Sequence, residues 1–129
     1  MSRPVTALVV MVLERFPVFV RCLTRLHARV LTASTCSEAD EFLRSEPAVG
    51  LVLTDLVLPD GSWCDVLSRA KDLQPEAEVV VCARLADERL WTEVLDAGGF
   101  DILAEPYQDL EVERIVARAV FGRRLAAAF

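Results

Sequence analysis

The stretch Ala48–Gly61, AVGLVLTDLVLPDG, decides the fold. Leu51-Val52-Leu53 is an apolar run that ends at Thr54 and Asp55, and Pro59-Asp60-Gly61 closes the segment as a turn. A short continuous apolar run bounded by Pro, Asp and Gly reads as a strand buried on both faces. Open α/β sheets place their sites outside the carboxyl ends of such strands. Asp55, at the exit of this one, is therefore the first candidate functional residue. The plainer reading is that it caps the following loop.

Working outward, the same pattern recurs. Thr6–Leu13 (TALVVMVL) is a second buried-strand candidate. Pro17 then suits the first turn of a helix whose apolar stripe is Val18, Phe19, Cys22, Leu23 and Leu26. Val30–Ala33 is a short strand, and Ser37 with Asp40 resembles a capping box for a helix bearing Ala39, Phe42 and Leu43. After the central strand, Asp60 or Ser62 can cap a helix with Val66, Leu67 and Ala70 inside. Glu78–Ala83 (EVVVCA) is a buried strand. Asp87–Ala97 is helical, with Leu90, Trp91, Val94 and Leu95 on one side and Gly98 as terminator. Asp101–Ala104 is the last strand. Asp109 caps a final helix with Leu110, Val112, Ile115, Val116, Ala119 and Val120 facing inward.

Strand and helix alternate five times, without an internal repeat or linker. Such alternation implies βαβ units, a parallel sheet and right-handed crossovers that cover both faces. The expected fold is a flavodoxin-like, doubly wound (βα)5 domain over residues 1–129, with strand order 2-1-3-4-5. The first and third strands are then central neighbours, and their carboxyl ends share one crevice. Into it the loops bring Glu14 (or Met11-Val12), Asp55, Cys82, Ala83, Arg84, Glu105 and Pro106.

Composition excludes several functions. At 129 residues and 53% hydrophobic, the chain has enough apolar material for a real core. A formal net charge of -6 disfavours nucleic acid and anionic membrane as partners. The four cysteines, Cys22, Cys36, Cys64 and Cys82, form no C-x-x-C pair, and His27 is the lone histidine, so no zinc or redox pattern follows. Glu14 and Arg15 interrupt the first apolar run, and no small-residue cleavage site follows it. Free thiols, no signal peptide and no membrane span point to a cytoplasmic protein.

TDLVLPDGS around Asp55, AGGFDILAEPY from Ala97 and LTASTCSEADEFL from Leu31 together resemble the response-regulator receiver family, and the resemblance covers nearly the whole chain. It implies a phosphorylation switch in a two-component phosphorelay. In this family an Asp at the end of the third strand, here Asp55, takes a phosphoryl group from a histidine kinase. Two acidic residues after the first strand hold Mg²⁺, a Thr or Ser ends the fourth strand, and a Lys precedes Pro after the fifth. Metal and fixed cations neutralise charge on the transferring oxygens. The family also commonly has a cis bond before that Pro, which predicts a cis Glu105–Pro106 peptide.

The chain departs from this pattern at most positions. The Lys position is Glu105, the hydroxyl position is Cys82, and the aromatic often found three residues before the Lys is Ile102. The acidic pair falls at Met11-Val12 if counted without a gap, or at Glu14-Arg15 if Pro17 is matched to a proline of the family. The second register is preferred. At most one carboxylate, Glu14, then joins Asp55, so Mg²⁺ on Asp55 and Glu14 would find an incomplete site and no cofactor is required. Clustered carboxylates should raise at least one pKa, and Arg84 or Arg15 is the candidate substitute cation.

Three functions compete. The first is a degenerate pseudo-receiver acting as a protein-interaction module, and it is the one these departures favour. The second is an unconventional phosphoacceptor that uses Asp55. The third, an enzyme on the same fold, lacks a phosphate-cradling glycine loop after the first strand, a second Asp two residues after Asp55 and a credible triad around His27. The expected partner is a histidine kinase or downstream effector. The face around Trp91, Leu95, Asp101 and Val112 is the candidate surface for it, or for a homodimer.

Overall fold

A computed structural model describes residues 5–128. Five parallel strands form the sheet: β1 (Thr6–Val10), β2 (Arg29–Ala33), β3 (Leu51–Asp55), β4 (Glu78–Ala83) and β5 (Asp101–Ala104), in the order β2-β1-β3-β4-β5. Helices α1 (Phe16–Arg25), α2 (Cys36–Ser45), α3 (Trp63–Leu73), α4 (Glu88–Asp96) and α5 (Asp109–Ala128) alternate with them. This is the doubly wound, flavodoxin-like architecture read from the sequence.

Strand residues alternate between the two faces, and each face has its own core. Leu8, Val10, Val52, Val79, Val81 and Ile102 pack against Ala39 and Leu43 of α2, Trp63 and Val66 of α3, and Val94 of α4. Ala7, Val9, Leu51, Leu53, Val80, Cys82 and Leu103 pack against Phe19 and Leu23 of α1 and against Val112 and Ile115 of α5. Every residue of β3 is buried, as its uninterrupted apolar run requires.

Several local expectations shift. β1 ends at Val10, and Leu13–Arg15 is a 3-10 turn leading into α1. The cap of α2 is Thr35, whose hydroxyl accepts from Glu38 N at 3.0 Å, and not the Ser37–Asp40 pair. Thr35 is the last extended residue before the helix, so it alone has the backbone a cap needs. Asp40 lies within the helix and pairs with Arg44 at 2.7 Å and Arg69 at 2.6 Å. Ser62 caps α3 in a capping box with Asp65. Asp60 reaches back to α2, accepting from Cys36 N at 2.7 Å and Ser37 N at 3.0 Å.

Asp109 is the first residue of α5, and its carboxylate binds Arg21 (2.8 Å) and Arg25 (3.1 Å) of α1. Leu110, expected inside, is 60% exposed. Gly98 ends α4 with φ 98°, the left-handed turn that favours glycine. The Glu105–Pro106 peptide is cis, as the resemblance to the receiver family implies. Among the described residues, no helix is long and apolar enough to cross a membrane.

Candidate functional site: a guanidinium clasp on Asp55

The parallel register sets Val10 beside Thr54 and Asp55 beside Cys82, so the ends of β1, β3 and β4 line up. Asp55 is the only one of these four residues with a charge. It is 4% exposed, and both of its oxygens are engaged. Oδ2 accepts from the Val12 backbone N–H at 3.1 Å. Oδ1 accepts from Arg15 Nη1 at 2.7 Å.

Arg15 does more than pair with Asp55. Its Nη2 lies 3.1 Å from Glu105 Oε1, and its Nη1 also donates to the Tyr107 hydroxyl at 3.3 Å. Tyr107 in turn donates to the Ala83 carbonyl at 3.2 Å and sets its ring edge-on to Phe19, 5.1 Å between centroids. One guanidinium, planar and forked, thus ties the loops after β1, β3 and β5, and through Tyr107 the end of β4. The short 3-10 turn brings this about. It carries Arg15 back over the strand ends before α1 begins.

The electrostatics follow from this packing. Burial pushes the Asp55 carboxyl above its ordinary value, against the pull of the Val12 N–H and the Arg15 charge. The Arg15 guanidinium is held above its usual value by Asp55, Tyr107 and Glu105, which outweigh its partial desolvation. The two directions differ in consequence: the guanidinium's charge is favoured by the pair, whereas for the carboxylate burial outweighs the pull of Arg15. Burial raises the Cys82 thiol and the Tyr107 phenol well above their ordinary ranges, so both stay protonated.

The site residues read from sequence separate into two groups. Asp55, Cys82, Ala83 and Glu105 stand at the strand ends, with Pro106 beside them. Glu14 is exposed on the 3-10 turn and is not among the hydrogen-bond or ion-pair partners of Asp55. Met11, wholly buried, and Val12 directly follow β1. Arg84 is exposed, and the cation that meets Asp55 is Arg15.

On the candidate partner face, Trp91 and Leu95 are 39% and 46% exposed. Asp101 and Val112 are not available there. Val112 is a core residue under the sheet, and Asp101 is buried, bonded to Ile102 N at 2.8 Å and Arg118 at 3.4 Å. Tyr107 was missed. Nothing in the spacing of Glu-Pro-Tyr marks its hydroxyl as part of the site.

The residues present do not fit a magnesium ion. Magnesium takes oxygen ligands in near-octahedral geometry, with carboxylates in the lead. Here Met11 and Val12, directly after β1, are apolar, Glu14 is exposed on the 3-10 turn, both Asp55 oxygens are already satisfied, and the Arg15 guanidinium bridges Asp55 and Glu105. Among the described residues, no group of three His, Cys, Asp or Glu could hold a metal ion.

No family model matches the chain. It is 32% identical over 98 residues to the response regulator protein PilR of Pseudomonas aeruginosa, a match covering 76% of this chain and 22% of that one. The chain belongs to the response-regulator receiver family. Solved receivers share its shape. A CheY-like response regulator receiver domain protein from Methanospirillum hungatei superposes with a TM-score of 0.85 at 18% identity, covering 97% of this chain and 99% of that one. A response regulator protein from Burkholderia pseudomallei with a phosphorylated aspartic acid, a calcium ion and citrate gives a TM-score of 0.75 at 26% identity, covering 96% and 74%. The receiver spans about a fifth of PilR's length, so the likeness to PilR concerns one part of that protein.

Proposed function

We propose that this receiver is a pseudo-receiver: a non-enzymatic, cytoplasmic interaction module of a two-component pathway that no longer depends on metal-assisted phosphotransfer. The observation that supports this best is the Arg15 clasp, which occupies both the carboxylate of Asp55 and the Glu105 side chain at the position where the family carries a lysine. A phosphoryl donor would meet an Asp55 oxygen already bonded to a guanidinium. It would find no metal, and Glu105 would repel the added charge. Signalling would then run through a protein partner that reads the fold as it stands.

Intact-mass spectrometry after incubation with acetyl phosphate and Mg²⁺ tests this, with Asp55→Asn as the control. The reading expects no phosphoryl adduct on the wild type. An adduct lost in the control would replace it with the second reading, a working phosphoacceptor in which Arg15 serves as the cation.

A further inference from the structure

We propose that Arg15 is a resident counter-ion that keeps divalent cations out of this site, and that Tyr107 is the residue that positions it there. The proposal rests on the reading of Asp55 as a site that has left metal-dependent chemistry, and it names the device responsible.

The argument begins with two carboxylates. Asp55 ends β3 and Glu105 follows β5, yet both touch the same guanidinium, at 2.7 and 3.1 Å. Like charges brought this close require a cation between them. Here that cation is covalently part of the chain. A tethered group competes at an effective concentration set by its short linker, and no solution cation is diluted less. The tether is short, since Arg15 lies five residues beyond the end of β1.

Position matters as much as charge. An arginine side chain with free rotamers would leave the carboxylates intermittently open. Tyr107 removes that freedom in two ways. Its hydroxyl accepts from Arg15 Nη1 while donating to Ala83 O, so its orientation is fixed from behind by β4. Its ring lies 5.9 Å from the guanidinium carbon and is itself wedged against Phe19 of α1. The hydroxyl therefore aims the fork at Asp55 and Glu105, and the ring supports it.

The test is a manganese(II) titration of the full chain, with free Mn²⁺ read by electron paramagnetic resonance. The wild type should leave the free-ion signal unchanged across the low millimolar range. Arg15→Ala should bind manganese at least roughly tenfold more tightly, because a competing tethered cation is gone. Adding Asp55→Asn to that variant should abolish the gain. Tyr107→Phe keeps the ring and loses the hydroxyl, and should give a smaller gain of the same kind.

Wild-type binding as tight as that of Arg15→Ala would overturn the proposal, as would a folded Arg15→Ala with no gain. Should Arg15→Ala not fold, Arg15→Met keeps the aliphatic stem and carries the same expectations. Should neither fold, Tyr107→Phe decides alone, and no tightening there overturns the proposal. A phosphoryl adduct on a wild type that still ignores manganese would sink the pseudo-receiver reading and leave the counter-ion standing.

Discussion

Arg15→Ala, measured in the presence of a chelator, separates the clasp from ordinary surface ion pairs. The substitution leaves the Asp55 carboxylate buried, with only the Val12 N–H as partner. Unit charges about 4 Å apart attract by about 4 kcal/mol at an effective dielectric of 20. Desolvation offsets part of that. Breaking a fully buried pair costs about 3–5 kcal/mol, and a hydrogen bond to a charged group contributes about 1.5–3 kcal/mol. The Arg15 side chain is 24% exposed, so the lower part of these ranges applies.

The expected loss is about 2–3 kcal/mol at pH 7, read from urea unfolding. In an Asp55→Asn background the same substitution should cost far less, because no buried charge is left unpaired. The loss should also shrink in acid. Without Arg15 the Asp55 carboxyl titrates higher still, and its protonation below that point removes the unpaired charge. A loss below about 0.5 kcal/mol, or one that is equal in both backgrounds, would show that the clasp is no more than a surface contact.

Asp55→Asn imitates the protonated carboxyl. The native Asp55 carboxyl titrates above its ordinary value, so this group's contribution to stability is full below the unfolded value and is lost as pH rises through the folded one. The variant should therefore unfold at the same or higher urea concentration than wild type at pH 7, with the difference closing near about pH 3; a less stable variant at pH 7 would contradict the burial argument. Asp60→Ala should lower the melting temperature at neutral pH by freeing the first turn of α2. Asp60 titrates below its ordinary value, so its contribution is present above the unfolded value and disappears as pH falls through the folded one. A deficit that persists in strong acid would mean the loop, and not the charge, is responsible. Val112→Ala should cost about 2 kcal/mol and Leu110→Ala under about 0.5 kcal/mol, the reverse of what a surface role for Val112 would give.

The architecture was legible because each strand announces itself locally. Apolar runs such as Leu8-Val9-Val10, Leu51-Val52-Leu53 and Val79-Val80-Val81, with the turn residues between them, need no distant information, and β4 and β5 end where their composition says they should. Helix starts were harder. Ser37-x-x-Asp40 resembles a capping box, but Thr35-x-x-Glu38 matches the pattern more closely, and the extended backbone at Thr35 makes it the cap. At the site, Asp55 was legible from its place at a strand exit. The Arg15 clasp was only half legible. The sequence offers Arg15 and Arg84 alike as cations, and the choice depends on a 3-10 turn whose path no periodicity encodes. Tyr107 was illegible for the same reason: its role lies in where a hydroxyl points. Val112 lies inward, as its place on the last helix implied, and only its second assignment, to the partner face, failed. Its helix carries apolar residues at too many positions for one face to be singled out, and Leu110 was assigned inward in error.

The loops at the carboxyl edge are fastened unequally. The segment after β3 is pinned at three places: by the short antiparallel pairing of Val57–Leu58 with Gly61–Ser62, by Trp63 N on Leu56 O at 3.1 Å, and by Asp60 on the start of α2. The segment after β4 has Arg84 and Leu85, the latter 84% exposed, and among the described residues no hydrogen bond ties either side chain to a neighbouring loop. A mechanical load on this edge would therefore be borne stiffly on the β3 side and yield first at residues 84–87. A partner that grips the edge would find a rigid jaw facing a compliant one, and α4, hung from the compliant side, is the helix that such a grip would displace.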